Sequence, residues 1–213
     1  RVNTKIEGYL FNMGNRLHVK TKPKTIMQHL LFKPKELVTT TTLIESERNL
    51  RNQLFLADAK IEIDSVSSRS AVVHITVFDQ WSTVPIAGIS RVGNQWEYIF
   101  GIAESNLIGT GQAISISHYK NYTTDGNAFG YYNSSFTGNR LKLRVQFTEN
   151  REGYYLSSSI DKPLISKYDQ HSFQIRYILS QSSRFYYYDG NLLTIEDDNY
   201  FNLEGTNRLV EFN

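Results

Sequence analysis

From about residue 83 onward, apolar and polar residues alternate with a period of two for over a hundred residues. Leu141, Leu143, Val145 and Phe147 fall on one side of an extended chain, with Lys142, Arg144, Gln146 and Thr148 on the other. Phe173, Ile175, Tyr177 and Leu179 likewise oppose Ser172, Gln174, Arg176 and Ser180. Successive side chains of a strand point to opposite faces, so this alternation predicts strands with one apolar and one polar face. It predicts seven of about ten residues each, over 83–92, 95–104, 111–122, 127–136, 140–149, 153–161 and 170–181.

The part before it reads as a small α/β unit. Arg16–Lys20 alternates and predicts a strand. Pro23 suits the first turn of a helix, in which Ile26/Leu30 and Met27/Leu31 share a face and which Pro34 breaks. Thr42-Leu-Ile-Glu45 has capping-box spacing. It predicts a second helix with Leu43, Leu50 and Leu54 as its buried stripe and Glu47–Arg51 as an exposed i,i+4 pair. Two strands follow. In the first, Ala59, Ile61 and Ile63 face the helices and Lys60, Glu62 and Asp64 face away. The second carries Ala71, Val73, Ile75 and Val77. The predicted order is β-α-α-β-β, a three-stranded sheet with two helices on one side.

Between two of the later strands stands ESNLIGTGQ (Glu104–Gln112). A dinucleotide-binding loop needs a third glycine and a following helix. Here Ala113-Ile-Ser-Ile-Ser117 continues as a strand, so the stretch is expected to be a turn between strands.

Composition removes several chemistries. The 213-residue chain has no Cys, which excludes disulfides, zinc–thiolate sites and thiol nucleophiles. Its five His are dispersed, and no metalloprotease, nucleophile-elbow or EF-hand spacing occurs. No enzyme activity and no cofactor or metal are expected. Glu196-Asp197-Asp198 reads as an acidic surface loop and Tyr186–Tyr188 as part of an aromatic girdle. No stretch approaches eighteen continuous apolar residues. Arg1 does not open a secretory leader, so a chain that is not exported, or a mature or trimmed form, is expected. Residues 1–60 hold eleven Lys/Arg against five Asp/Glu, and residues 61–213 hold the remaining twelve against sixteen. The basic residues Lys20, Lys22, Lys24, Lys33 and Lys35 lack interleaved stacking aromatics, so a solvated face is expected and nucleic acid is not.

Thirteen of the fourteen Tyr lie beyond residue 90. Long strands with one apolar, aromatic face and one polar, basic face are what a transmembrane barrel needs, because lipid meets one face and a wet lumen the other. On pattern alone a soluble all-β domain shows the same alternation, and both readings stand.

A β-α-α-β-β unit leading directly into such strands resembles the outer-membrane proteins that join POTRA domains to a barrel: the BamA family of insertases, the TamA-like proteins and the two-partner secretion transporters. The likeness lies in LHVKTKPKTIMQHLLFKPKE, ESERNLRNQLFLADAKIEI and VVHITVFDQWS for the POTRA unit. GIAESNLIGTGQ, YYNSSFTGNRLKLRV and IDKPLIS resemble the family's periplasmic turns, with Ser134 where the family often has proline. The resemblance implies an N-terminal junction over 1–13, a POTRA domain over 14–80, and the first part of an outer-membrane β-barrel over 81–213. That part would hold the first seven or eight antiparallel strands of a larger, sixteen-stranded barrel. The family's Arg-Gly-aromatic lock is absent, and NRLVEFN lacks the signature of a closing strand. The chain is therefore expected to be an N-terminal portion of a longer protein.

The implied function is assembly, insertion or translocation of outer-membrane proteins by strand pairing, with the POTRA domain in the periplasm. The implied partners are unfolded outer-membrane protein clients, periplasmic or lipoprotein accessory subunits and outer-membrane lipid. The implied sites are a POTRA edge strand (Lys60, Ile61, Glu62, Ile63, Asp64), a barrel seam strand (Val84, Pro85, Ile86, Gly88) and a periplasmic turn (Glu104, Asn106, Gly109, Gly111). The competing reading is a soluble periplasmic binding protein with an all-β ligand domain.

Overall fold

The computed structural model describes residues 19–67, 70–121, 124–138, 140–188 and 191–209, with side chains described up to residue 182. The chain divides into two compact units. The first is Arg1–Val84 with Glu104–Gln112, and the second is Pro85–Ala103 with Ala113–Asn213.

The first unit contains helices α1 (Pro23–His29) and α2 (Thr40–Arg51) and strands β1 (Leu56–Val66) and β2 (Ala71–Asp79). Most of the strand expected at Arg16–Lys20 lies outside the described residues, and Val19 and Lys20 are not in a strand. Pro occupies the start of α1, where its missing N–H costs nothing. The helix stops at His29, well before Pro34. Leu30 is extended, the His29 carbonyl accepts from Asn49 Nδ2 at 2.6 Å, and the Leu31 N–H donates to Ser46 Oγ at 3.0 Å. Polar side chains of α2 thus terminate α1.

The capping expectation for α2 shifts by three residues. Thr39, not Thr42, is the N-cap, and its hydroxyl accepts from the Thr42 N–H at 3.2 Å. The buried face of α2 is Glu45, Ser46, Asn49 and Leu50. Of the predicted stripe only Leu50 is fully buried, and Leu54, beyond the helix, is exposed. The core forms from Ile26, Leu50, Phe55, Leu56 and Ala59, with Leu30, Ile61, Ile75 and Val77 packed against it.

β1 and β2 pair antiparallel, with Ala59 opposite Val77 and Ile61 opposite Ile75. Ala59 is fully buried and Ile61 packs on the core, as expected. Ile63 does not: it is 49% exposed, next to a break in register between Ile63 and Ser65.

The second unit is built on an eight-stranded sheet: β3 (Thr83–Val92), β4 (Gln95–Glu104), β5 (Gln112–Lys120), β6 (Asp125–Phe136), β7 (Leu141–Asn150), β8 (Gly153–Lys162), β9 (His171–Tyr188) and β10 (Asn191–Leu209). The strands lie in sequence order, with β3 and β10 as the two outer strands. The seven predicted strands are all present within a few residues, apart from β9, which continues to Tyr188. Glu196–Asp198, expected in a loop, belong to β10 at an irregularity between Ile195 and Asp197. Tyr186–Tyr188 end β9, and the girdle reading of their side chains lies outside what is described.

Register sorts the faces. Phe129, Phe147, Leu156 and Leu179 stand in one cross-strand row, and Leu143, Ile160 and Ile175 in another on the same face. Tyr132, Arg144, Ser159 and Arg176 form a row on the opposite face. The apolar face extends toward β4: His118 packs against Tyr98 (6.0 Å) and Phe100 (5.2 Å) and meets Asn127 Oδ1 at 3.0 Å. Trp96, Phe100, Ile102, Ile116, Phe129 and Ile175 on this face are all exposed. An apolar surface of this extent marks contact with an apolar medium or partner. No described helix is long and apolar enough to cross a membrane, which has no bearing on crossing by strands.

Candidate functional site

The turn Glu104–Gln112 links β4 to β5, yet it belongs to the first unit. Asn106 is completely buried. Its Nδ2 donates to Thr21 Oγ1 at 2.9 Å and to the Val19 carbonyl at 3.2 Å, and its Oδ1 accepts from the Gly111 N–H at 2.9 Å. The Gly109 carbonyl accepts from the Lys22 N–H (2.9 Å) and from Thr25 Oγ1 (3.0 Å), at the start of α1. A side-chain amide carries both an acceptor oxygen and a donor nitrogen, so Asn106 ties the turn to itself and to a distant segment at once.

Both glycines are required. Gly109 and Gly111 have φ of +74° and +66°, which L side chains disfavour. A Cβ on Gly109 would lie 2.4 Å from the Lys20 carbonyl oxygen. One on Gly111 would lie 2.6 Å from the ring of Phe55, in the core.

Glu104 holds the entry to the turn. Its Oε2 accepts from Thr83 Oγ1 at 2.5 Å and its Oε1 from the Asn106 N–H at 2.6 Å. Partial burial by itself would raise this carboxyl. The hydrogen bonds from Thr83 and Asn106, with the Ser82 hydroxyl close by, outweigh it and hold the group below the usual carboxylate range. The four turn residues singled out in the sequence are therefore brought together, as an anchored joint. Thr21, Thr25 and Phe55 supply the other half, and no sequence pattern marks them.

The seam residues Val84, Pro85, Ile86 and Gly88 all lie in β3, an outer strand of the eight-stranded sheet. Pro85 offers no N–H, and a Cβ on Gly88 would stand 3.1 Å from Ile99 Cγ2 of β4.

Lys60, Ile61, Glu62, Ile63 and Asp64 lie in β1, whose strand partner among the described residues is β2. Lys60 and Glu62 pair at 2.7 Å, and the hydrogen bond to Glu62 raises the Lys60 ammonium above its usual value. The rim is not bare, however. The Ala59 carbonyl accepts from Arg51 Nε at 2.9 Å, and the Ile61 N–H donates to Glu47 Oε2 at 2.8 Å.

No protein-family profile and no curated protein matches the sequence. Solved structures do match in fold. One is the crystal structure of BamA from Haemophilus ducreyi lacking POTRA domains 1–3, with a TM-score of 0.56 and 13% identity over 91% of this chain. The present chain spans 42% of that chain's length. At this identity the likeness is one of fold: the chain resembles part of a BamA-type barrel protein.

Proposed function

We propose that the chain is part of an outer-membrane protein that assembles, inserts or translocates other outer-membrane proteins by strand pairing, with its first unit acting as a POTRA domain in the periplasm. The observation that carries this reading is the eight-stranded antiparallel sheet. Its exposed apolar face and opposite Tyr132–Arg144–Arg176 row suit lipid on one side and water on the other, in a fold shared with BamA. In this reading β3 is the seam strand. An outer strand presents unpaired N–H and C=O groups as a template. Pro85 and Gly88 keep its pairing weak, so a client strand can add there. The turns at 104–111, 134–139 and 162–169 then lie on the periplasmic side.

No catalytic group, cofactor or metal enters this mechanism. The partners are unfolded clients, accessory subunits and outer-membrane lipid, and the β1 rim is the client contact on the first unit. The test places a photo-crosslinker at Ala87 in β3 and, as a control, at Gln146 in β7, in membranes making a labelled outer-membrane client. Client crosslinks concentrated at Ala87 support the reading. Equal yields at both positions, or a chain that leaves the membrane without detergent, refute it.

A further inference from the structure

The rim of β1 carries a second device. In an antiparallel pair, alternate residues turn their main-chain groups toward and away from the partner strand. The hydrogen bonds at Ala59 and Ile61 show that these residues, opposite Val77 and Ile75, turn theirs away from β2. Three consecutive outward groups there are each met by a side chain. The Ala59 N–H donates to Asp58 Oδ1 at 2.8 Å, the Ala59 carbonyl accepts from Arg51 Nε at 2.9 Å, and the Ile61 N–H donates to Glu47 Oε2 at 2.8 Å. The three side chains are themselves joined: Arg51 Nη2 meets Glu47 Oε1 at 3.0 Å, and Arg51 Nε meets Asp58 Oδ1 at 2.8 Å. Along the rim the sequence of partners is acceptor, donor, acceptor, which is the order that a neighbouring strand would present.

We propose that Asp58, Arg51 and Glu47 form a strand-mimicking guard on the β1 edge. An extended polypeptide pairs with β1 only when Arg51 and Glu47 swing away. An exposed edge pairs indiscriminately, with copies of the same chain included. A guard built from side chains closes the edge in a way that an incoming strand can reverse, since both helix residues sit at the solvent boundary, with Arg51 48% and Glu47 23% exposed. Salt screens their attraction, so the guard opens more readily at high ionic strength.

This bears on the rim named above as a client contact. Its test uses a peptide copied from the chain itself, so failure here leaves the client reading standing and the reverse also holds. The full chain in detergent carries a photo-crosslinker at Glu62, beside the rim, or at Ile44 on α2 as a control. The probe is a labelled peptide of sequence AVVHITVFD (residues 71–79), the segment that already pairs with β1. The expected result is at least a tenfold rise in crosslinking at Glu62, with none at Ile44, in a folded Glu47→Ala, Arg51→Met protein. Glu47→Gln, which keeps an acceptor, stays near the unaltered level. Equal crosslinking with and without the guard overturns the proposal, as does a folded double variant that captures no peptide. Should the double variant not fold, exchange of the Ile61 amide decides: Glu47→Ala speeds it and Glu47→Gln does not, and equal rates in both overturn the guard.

Discussion

Replacing Asn106 by Ala removes the knot of the anchored turn. Asn106 Nδ2 no longer reaches Thr21 Oγ1 or the Val19 carbonyl, and the Gly111 N–H is left without its acceptor in a place that water does not reach. Each lost hydrogen bond is worth about 0.5–1.5 kcal/mol net, and a buried donor left unmet costs about 1–3 kcal/mol. Summed, the variant should lose about 3–5 kcal/mol of local stability, two or more decades in the opening equilibrium. Hydrogen exchange followed by mass spectrometry on the full chain reads this segment by segment. Peptides covering 104–112, 19–30 and 53–59 should all lose protection together, because the turn packs on Lys22, Thr25 and Phe55. The exposed Asn94→Ala in a strand-connecting turn should change these peptides by less than about 0.5 kcal/mol. If Asn106→Ala loosens 104–112 alone, the turn is an ordinary hairpin connection and its assignment to the first unit is wrong.

Four further outcomes follow from the same geometry. Gly111→Ala should destabilise the first unit by about 2–4 kcal/mol, from left-handed strain plus overpacking against Phe55. Gly93→Ala, with φ of +58° and open space around it, should cost only the strain, about 1–2 kcal/mol by chemical unfolding. In β7, Leu143→Arg and Val145→Arg should each cost about 2–4 kcal/mol when the protein is folded into bilayers, and Arg144→Ala on the opposite face much less. The lowered Glu104 carboxyl contributes stability that is full above its ordinary value of 4.5 and is lost as pH falls through the lowered value. Exchange of the Asn106 amide, corrected for intrinsic rates, should therefore accelerate only in that acid range, and Glu104→Gln should abolish this step.

Period-two alternation survives in sequence because every residue of a two-faced strand reports its own side, so Leu141–Thr148 could be read without any neighbour. The helices were harder. The buried face of α2 uses Glu45, Ser46 and Asn49, and the last two bond to the chain at the end of α1, so apolar spacing alone points to Leu54 instead. Four consecutive threonines, Thr39–Thr42, offer several equivalent caps, and only the backbone selects Thr39. Glu47 and Arg51 were visible as a helical pair, but their bonds to Ala59 and Ile61 depend on strand register. The turn residues stand out in the sequence, yet their role does not, because Thr21, Thr25 and Phe55 lie some fifty to ninety positions away and become neighbours only on folding.

In the proposed function the eight-stranded sheet spans a bilayer with its Leu143 face in lipid. The chain has no Cys, so single cysteines can be introduced along β7 at positions 142–147 and spin-labelled without interference. In lipid bilayers, labels at Leu143, Val145 and Phe147 should collide with oxygen, which partitions into lipid. Labels at Lys142, Arg144 and Gln146 should respond instead to a water-soluble nickel chelate. Accessibility that does not alternate, or labels at Leu143 and Val145 that meet only the aqueous reagent, would contradict the membrane assignment and with it the proposed function.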